Sequence, residues 1–272
     1  MIRTLALRPL LAPFAAFLAL VATLPAYAAT LPEALATADQ RTGVVTARLD
    51  LGDAERALER TLADPAALRL ERLQAEQAVE LATAQLRAER FGAYTDIASA
   101  YVQVLEARSG RELAQDAALL AERGLEIARI RLERGAGTEL DVRDAETDLA
   151  GARGDLASAQ QGEALARRSF TSLTGLEADD LPPVPGELLG TQLPDEDVLY
   201  ERLDRAPTLL QAAQGVALAR TARDLLDPAY APARDIESAE LSVAQAREGL
   251  AEARRGLELQ LRSLIDRVAA AR

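Results

Sequence analysis

The chain contains no cysteine and no histidine. Without cysteine there is no disulfide framework, even in an oxidising compartment, and no thiol nucleophile. Without either residue, the usual zinc and haem ligands and imidazole acid–base chemistry fall away as well. Carboxylates alone are left to carry chemistry, and their spacing shows no catalytic pair, no metal-ligand cluster and no cofactor loop; the expectation is a non-enzyme with no metal and no cofactor. Tryptophan is also missing, and five Tyr and four Phe are too few for an ordinary globular core in 272 residues. Lysine is missing too, so every base is an arginine. Proline is absent from Ala66 through Arg134, and no long apolar run occurs after Leu24.

What is present is acid, alanine and leucine. The formal net charge is −12, which makes nucleic acid an unsuitable partner and fits a solvated, self-repelling surface or a cation-attracting lumen. At the N-terminus, Arg3 and Arg8 precede an apolar run from Leu10 to Leu24 that contains Pro13 and closes on Pro25 and Ala26-Tyr27-Ala28. A basic start, a short apolar stretch and an A-x-A end describe an export signal, so residues 1–28 are expected to be removed and the mature chain to begin near Ala29. Loss of the two arginines takes the charge from −12 to −14.

The mature chain reads as helix almost throughout. From Ala66 to Arg134 only Gly92, Gly110 and Gly124 interrupt an otherwise strong helical pattern, so one continuous helix of about 100 Å is expected. Ala114, Ala118, Ala121, Leu125, Ala128 and Leu132 step by four and three along it. Leu113, Ala117, Leu120 and Ile127 make a second seam one residue over, which implies two helical neighbours rather than one. Tyr94, Tyr101 and Phe91, at helical spacing, read as core or seam residues.

A return helix from Thr138 to about Thr174 repeats the period at Ala145, Leu149, Ala152, Leu156, Ala159, Ala166, Phe170 and Leu173. At about 55 Å it covers only the lower part of the first arm. After a Pro/Gly-rich spacer, residues 175–194, a helix over Asp195–Leu226, broken or kinked at Pro207, is expected to supply part of the remaining cover. A last helix runs from Ala233. Ala75-Glu76, Val79, Ala82 and Leu86 recur 164 residues later as Ala239-Glu240, Val243, Ala246 and Leu250, and Asp64-Pro65 recurs as Asp227-Pro228. Two helical repeats follow, residues 29–174 and a shorter one over residues 195–272. The one alternating run, Val45 to Leu51, reads equally as a strand or as the first turns of a helix ending near Leu62.

The reversal between the two long helices is the most informative stretch. Arg129, Arg131 and Arg134 close one helix with positive charge, Gly135 and Gly137 permit a tight turn, and Thr138 can cap the next helix. Glu139, Asp141 and Asp144 load that helix start with acid, as its dipole favours. Asp141, Asp144, Asp148 and Asp155 share one face. Asp141 stands three residues after Thr138, where a Thr-x-x-Asp capping box gives it a purely structural use. Asp144 reads equally as a solvated charge beside Arg143; Asp148 and Asp155 read as plain surface.

This pattern resembles the periplasmic tip of TolC-like outer-membrane efflux proteins: Gly135, then Asp141-Val142, Asp144-Ala145, Leu149, Ala152 and a closing Leu173-Thr174-Gly175. Leu31-Pro32-Glu33-Ala34-Leu35, Leu181-Pro182-Pro183-Val184-Pro185 and Arg205-Ala206-Pro207-Thr208-Leu209 fit the family's layout around it. The resemblance implies an all-α protein, a long antiparallel helical hairpin of α-barrel type, in the periplasm or outer membrane. It implies a homo-oligomer, trimer or higher, that works with an inner-membrane pump and a periplasmic adaptor, and it places Asp141 and Asp144 at the channel entrance. Two departures stand out. The breaks at Asp64-Pro65 and Asp227-Pro228 are too short for barrel strands, which need about 9–11 alternating residues each. There is also one hairpin tip where such channels use two per chain, so a higher oligomer or a partner is expected to complete the tube. A periplasmic adaptor hairpin and a structural coiled-coil spacer remain as alternatives.

Overall fold

The computed structural model describes residues 29–184, 186 and 194–270. The expected export signal, residues 1–28, lies outside the described residues, as does most of the last part of the spacer.

All regular structure among the described residues is helical: α1 (Leu31–Ala36) runs into a short 3-10 turn (Thr37–Gln40), followed by α2 (Thr42–Ala63), α3 (Arg69–Glu133), α4 (Glu139–Thr174), α5 (Glu196–Leu203), α6 (Pro207–Asp224) and α7 (Ala233–Ala270). The Val45–Leu51 run is helix, inside α2. α3 runs unbroken for 65 residues, about 97 Å at 1.5 Å per residue. Its three glycines interrupt nothing, and a β-carbon at any of them would meet open space. At the top of the molecule the two Asp-Pro breaks are matching turns. The Asp64 carboxylate accepts from the Ala66 amide at 2.9 Å, and the Asp227 carboxylate accepts from the Ala229 amide at 2.8 Å. Each side chain thus stands in for a backbone partner and turns the chain back within a few residues.

α2 and α4 lie end to end along α3. α2 runs up beside its upper half to the Asp64 turn, and α4 runs back up its lower half from the tip. The cover for the upper half therefore comes mainly from α2, a helix the sequence reading left unassigned to that task, while α6 packs on α3 as a second neighbour. The helix expected over Asp195–Leu226 is broken before Pro207 into α5 and α6, because proline at the first position of α6 lacks the amide a continuing helix needs.

The main core forms where α1, the 3-10 turn, the start of α2, the middle of α3 and the end of α4 meet. Val44, Ile97, Tyr101, Val104 and Phe170 are its fully buried large side chains. Tyr101 and Phe170 meet edge to face, ring centres 5.9 Å apart, and the Tyr101 hydroxyl donates to the Pro182 carbonyl at 2.6 Å. Burial raises the Tyr101 pKa. The first part of the spacer is thus packed structure, with Ala178 and Leu181 buried in the same core. Of the three aromatics expected in core or seam, only Tyr101 is buried; Phe91 is 71% exposed and Tyr94 39%.

Candidate functional site

The hairpin tip is built from its own sequence. α3 ends at Arg134, and Gly135 adopts φ 71°. The Gly135 amide donates to the Leu132 carbonyl at 2.9 Å and the Ala136 amide to the Arg131 carbonyl at 2.8 Å, the paired bonds that satisfy a helix end when the next residue can turn left-handed. Gly137 passes close to α3; a β-carbon there would sit 3.2 Å from Arg131 Cβ and 3.3 Å from the Leu132 amide nitrogen. Thr138 then opens α4. Its hydroxyl accepts from the Asp141 amide at 3.2 Å, and the Asp141 carboxylate accepts from the Thr138 amide at 2.7 Å and its hydroxyl at 2.8 Å.

Those bonds hold the Asp141 carboxyl below its ordinary pKa: the backbone bond from Thr138 is the first cause, the Thr138 hydroxyl the second, and Arg131 adds a smaller attraction. A depressed folded-state pKa means the cap contributes stability above the unfolded value of 3.8 and loses it as pH falls through the lower folded value. The protection of the amides over residues 138–142, relative to the unstructured-chain exchange rate at the same pH, is therefore expected to fall on acidification below about pH 4, with Asp141→Asn showing the lower protection already at pH 7. Protection at the tip that is indifferent to both changes would remove the cap from the account.

Asp144 is exposed one turn on and forms no ion pair with another described residue. Asp148 and Asp155 are exposed as well. The four carboxylates converge on no cleft, and among the described residues no group of three or more acids gathers as metal ligands.

Below the core, α3 presents its two seams very differently. On the first, Ala118 and Leu125 are buried against α4, whose Leu149 is buried in return. On the second, Leu113 is 72% exposed, Leu120 66% and Ile127 51%. Ten helical turns take about 36 residues, so these three positions continue the line of Gln77, Ala84 and Phe91 higher on α3. There α6 covers the first two of the three: Gln214 Nε2 donates to the Gln77 carbonyl at 2.9 Å, and Ala84 is buried, while Phe91, near the start of α6, is exposed. Among the described residues, the same helix face has a neighbour at the top and none lower down.

Glu163 was not singled out from sequence. It is 6% exposed, the one buried acid among the described residues, and is clamped by Arg111 Nε at 2.8 Å and Arg167 Nη2 at 2.7 Å. Arg167 reaches on to Asp179, and Arg108, one turn before Arg111, reaches Asp180. The cluster ties α3, α4 and the loop after Thr174 together just below the aromatic core. Nothing in a glutamate within an Ala-rich helix distinguishes it from its exposed neighbours until the arginines of another helix are brought beside it.

Residues 72–176, most of α3 and all of α4, match the sequence profile of the family described as outer membrane efflux protein. No curated protein matches the chain in sequence. Among solved structures it is similar to the outer membrane protein VceC from Vibrio cholerae, at 16% identity and TM-score 0.68, over 89% of this chain and 78% of that one. It is similar also to CusC (14%, TM-score 0.65, 88% and 77%) and to the CmeC outer membrane channel of Campylobacter jejuni (13%, TM-score 0.58, 87% and 68%). Over residues 72–176, therefore, the chain is similar in sequence to the outer membrane efflux protein family, and over most of its length its helical fold is similar to those of solved outer membrane proteins, in keeping with the TolC-like resemblance read from its residues.

Proposed function

We propose that the protein is a conduit-forming component of an envelope export system: copies stand side by side in the periplasm, tips toward an inner-membrane pump and its adaptor, tops toward the outer membrane. One observation carries this reading, the uncovered second seam of α3. Leucine and isoleucine side chains at the regular spacing of a packed helix, on a face that is covered higher up, are placed for another helix. A neighbouring copy supplies it and closes helices into a tube. Asp141 and Asp144 then repeat around the lower rim as a ring of carboxylates that draws cations to the entrance, with Asp141 also capping α4. The turns at Asp64 and Asp227 are too tight for barrel strands, so crossing of the outer membrane falls to another part of the assembly.

The mass of the mature protein by light scattering tests the assembly. A multi-chain particle is expected at micromolar concentration, and Leu113→Glu with Leu120→Glu is expected to reduce it to single chains with an unchanged helical circular dichroism spectrum, since neither side chain supports the fold of one chain. Unmodified protein that stays monomeric would sink the conduit and leave a spacer. Asp144→Asn tests the entrance: loss of cation-sensitive export without loss of helicity is expected, and full export would show the acid to be plain surface.

A further inference from the structure

Where α6 begins to cover α3, the two helices leave a cleft of 460 Å³ open to solvent. That volume falls within the roughly 300–1,000 Å³ that accommodates small organic molecules. Its walls are apolar: Ala84 and Ala88 on α3, Pro207 at the start of α6, and the ring of Phe91, 71% exposed. Three arginines complete the lining. Arg87 comes from α3, Arg202 from the end of α5 and Arg205 from the turn that follows.

None of the three guanidinium groups has a carboxylate within ion-pairing distance among the described residues. Asp204, which lies between two of them in sequence, is taken by Arg254 of α7. Glu80 and Asp204 line the adjoining hollow beside Arg87 and Arg205, with Glu80 accepting from Gln214; three arginines around one apolar hollow still run against the balance of a chain with 43 acids and 31 bases. The internal repeat supplies a comparison. Positions 164 residues after Ala84, Ala88 and Phe91 are Glu248, Glu252 and Arg255, so the matching face of α7 carries charges, Glu248 paired with Arg255, where this one is apolar beneath arginines. The apolar lining of this hollow is thus not shared by the equivalent positions of the repeat.

We propose that the cleft binds amphipathic organic anions, an aromatic carboxylate being the simplest member. The carboxylate is held by the forked donors of Arg87 and Arg205, whose geometry matches two acceptor oxygens, with Arg202 adding charge. The ring lies against Phe91 and the alanine wall. A neutral aromatic leaves the guanidinium charges unanswered, and inorganic phosphate leaves the apolar wall wet.

Titration calorimetry on the full mature chain tests this with naphthalene-2-carboxylate, naphthalene-2-methanol and inorganic phosphate. The carboxylate is expected to bind saturably, one per chain, at least about tenfold more tightly than either comparison ligand, the discrimination that one charge-assisted contact supplies. Arg87→Gln with Arg205→Gln is expected to weaken the carboxylate by a similar factor and to leave the alcohol unaffected, with circular dichroism unchanged. Absence of saturable binding, equal binding of the alcohol or of phosphate, or indifference to the arginine substitutions each overturns the proposal. The three-ligand comparison on unmodified protein decides it even if the variant does not fold.

Discussion

Phe170→Ala is expected to destabilise the protein by about 3–5 kcal/mol, the usual range for removing a fully buried aromatic ring. In a chain of this size such a loss lowers the melting temperature by roughly 10 °C. Phe170 has no exposed surface and sits edge-on to Tyr101 at the junction of α4 with the middle of α3. The site collapses poorly when emptied, because its walls are the stiff backbone of α3, the α1 to 3-10 segment and the loop held by the Tyr101 bond to Pro182. Tyr101→Phe is the milder companion: it keeps the ring and removes one hydrogen bond, at a cost of about 1 kcal/mol. Thermal unfolding followed by circular dichroism measures both. A Phe170→Ala loss below that of Tyr101→Phe would show that the junction is not the core described here.

Glu163→Ala is expected to cost about 2–3 kcal/mol, because it leaves the Arg111 and Arg167 guanidiniums facing one another without the carboxylate between them. The figure is kept below that of a wholly buried pair because the two arginine side chains retain 27% and 33% exposure. Two other bridges between α3 and α4, Arg129 with Glu146 and Arg153 with Glu122, join side chains that are about half exposed or more. Their removal is expected to cost under about 1 kcal/mol each. Urea denaturation of the three variants separates the cases, and equal costs for Glu163→Ala and Glu146→Ala would mean that burial contributes nothing at Glu163. The cluster also has a geometric effect. It pins α4 to α3 between the core and the open seam, so the lower hairpin extends from a fixed register.

Most of the secondary structure was legible because its signals are local. Seams spaced by four and three specify helix, the Gly135 to Thr138 chemistry specifies a reversal, and the two Asp-Pro steps specify turns; each rests on residues within one or two turns of each other. Even the ambiguous Val45–Leu51 run is decided by continuity with the helix on its far side. The end residues of α3, α4 and α7 fall within a few positions of those expected, since caps and prolines mark them.

What lay beyond the sequence was which helix lies against which, and so which members of a seam are buried. Two seams on α3 called for two neighbours, and length alone put the return helix on the lower part, but the sequence did not say that α2 takes the upper half, nor that α6 stops near Pro207 and leaves Leu113, Leu120 and Ile127 uncovered. Phe91 and Tyr101, ten residues apart on one helix, look alike in sequence; one faces a cleft and the other the core, because α4 and the Pro182 loop arrive only beside Tyr101. Glu163 and the arginine-rimmed cleft were invisible for the same reason. Each is made by side chains from separate helices, and apolar periodicity states that a face will be covered without stating by what. The sequence by itself determined helices, turns and the family resemblance through short-range hydrogen bonding and spacing; only the tertiary packing decided which charges are clamped, which are left free and which apolar face still awaits a neighbour.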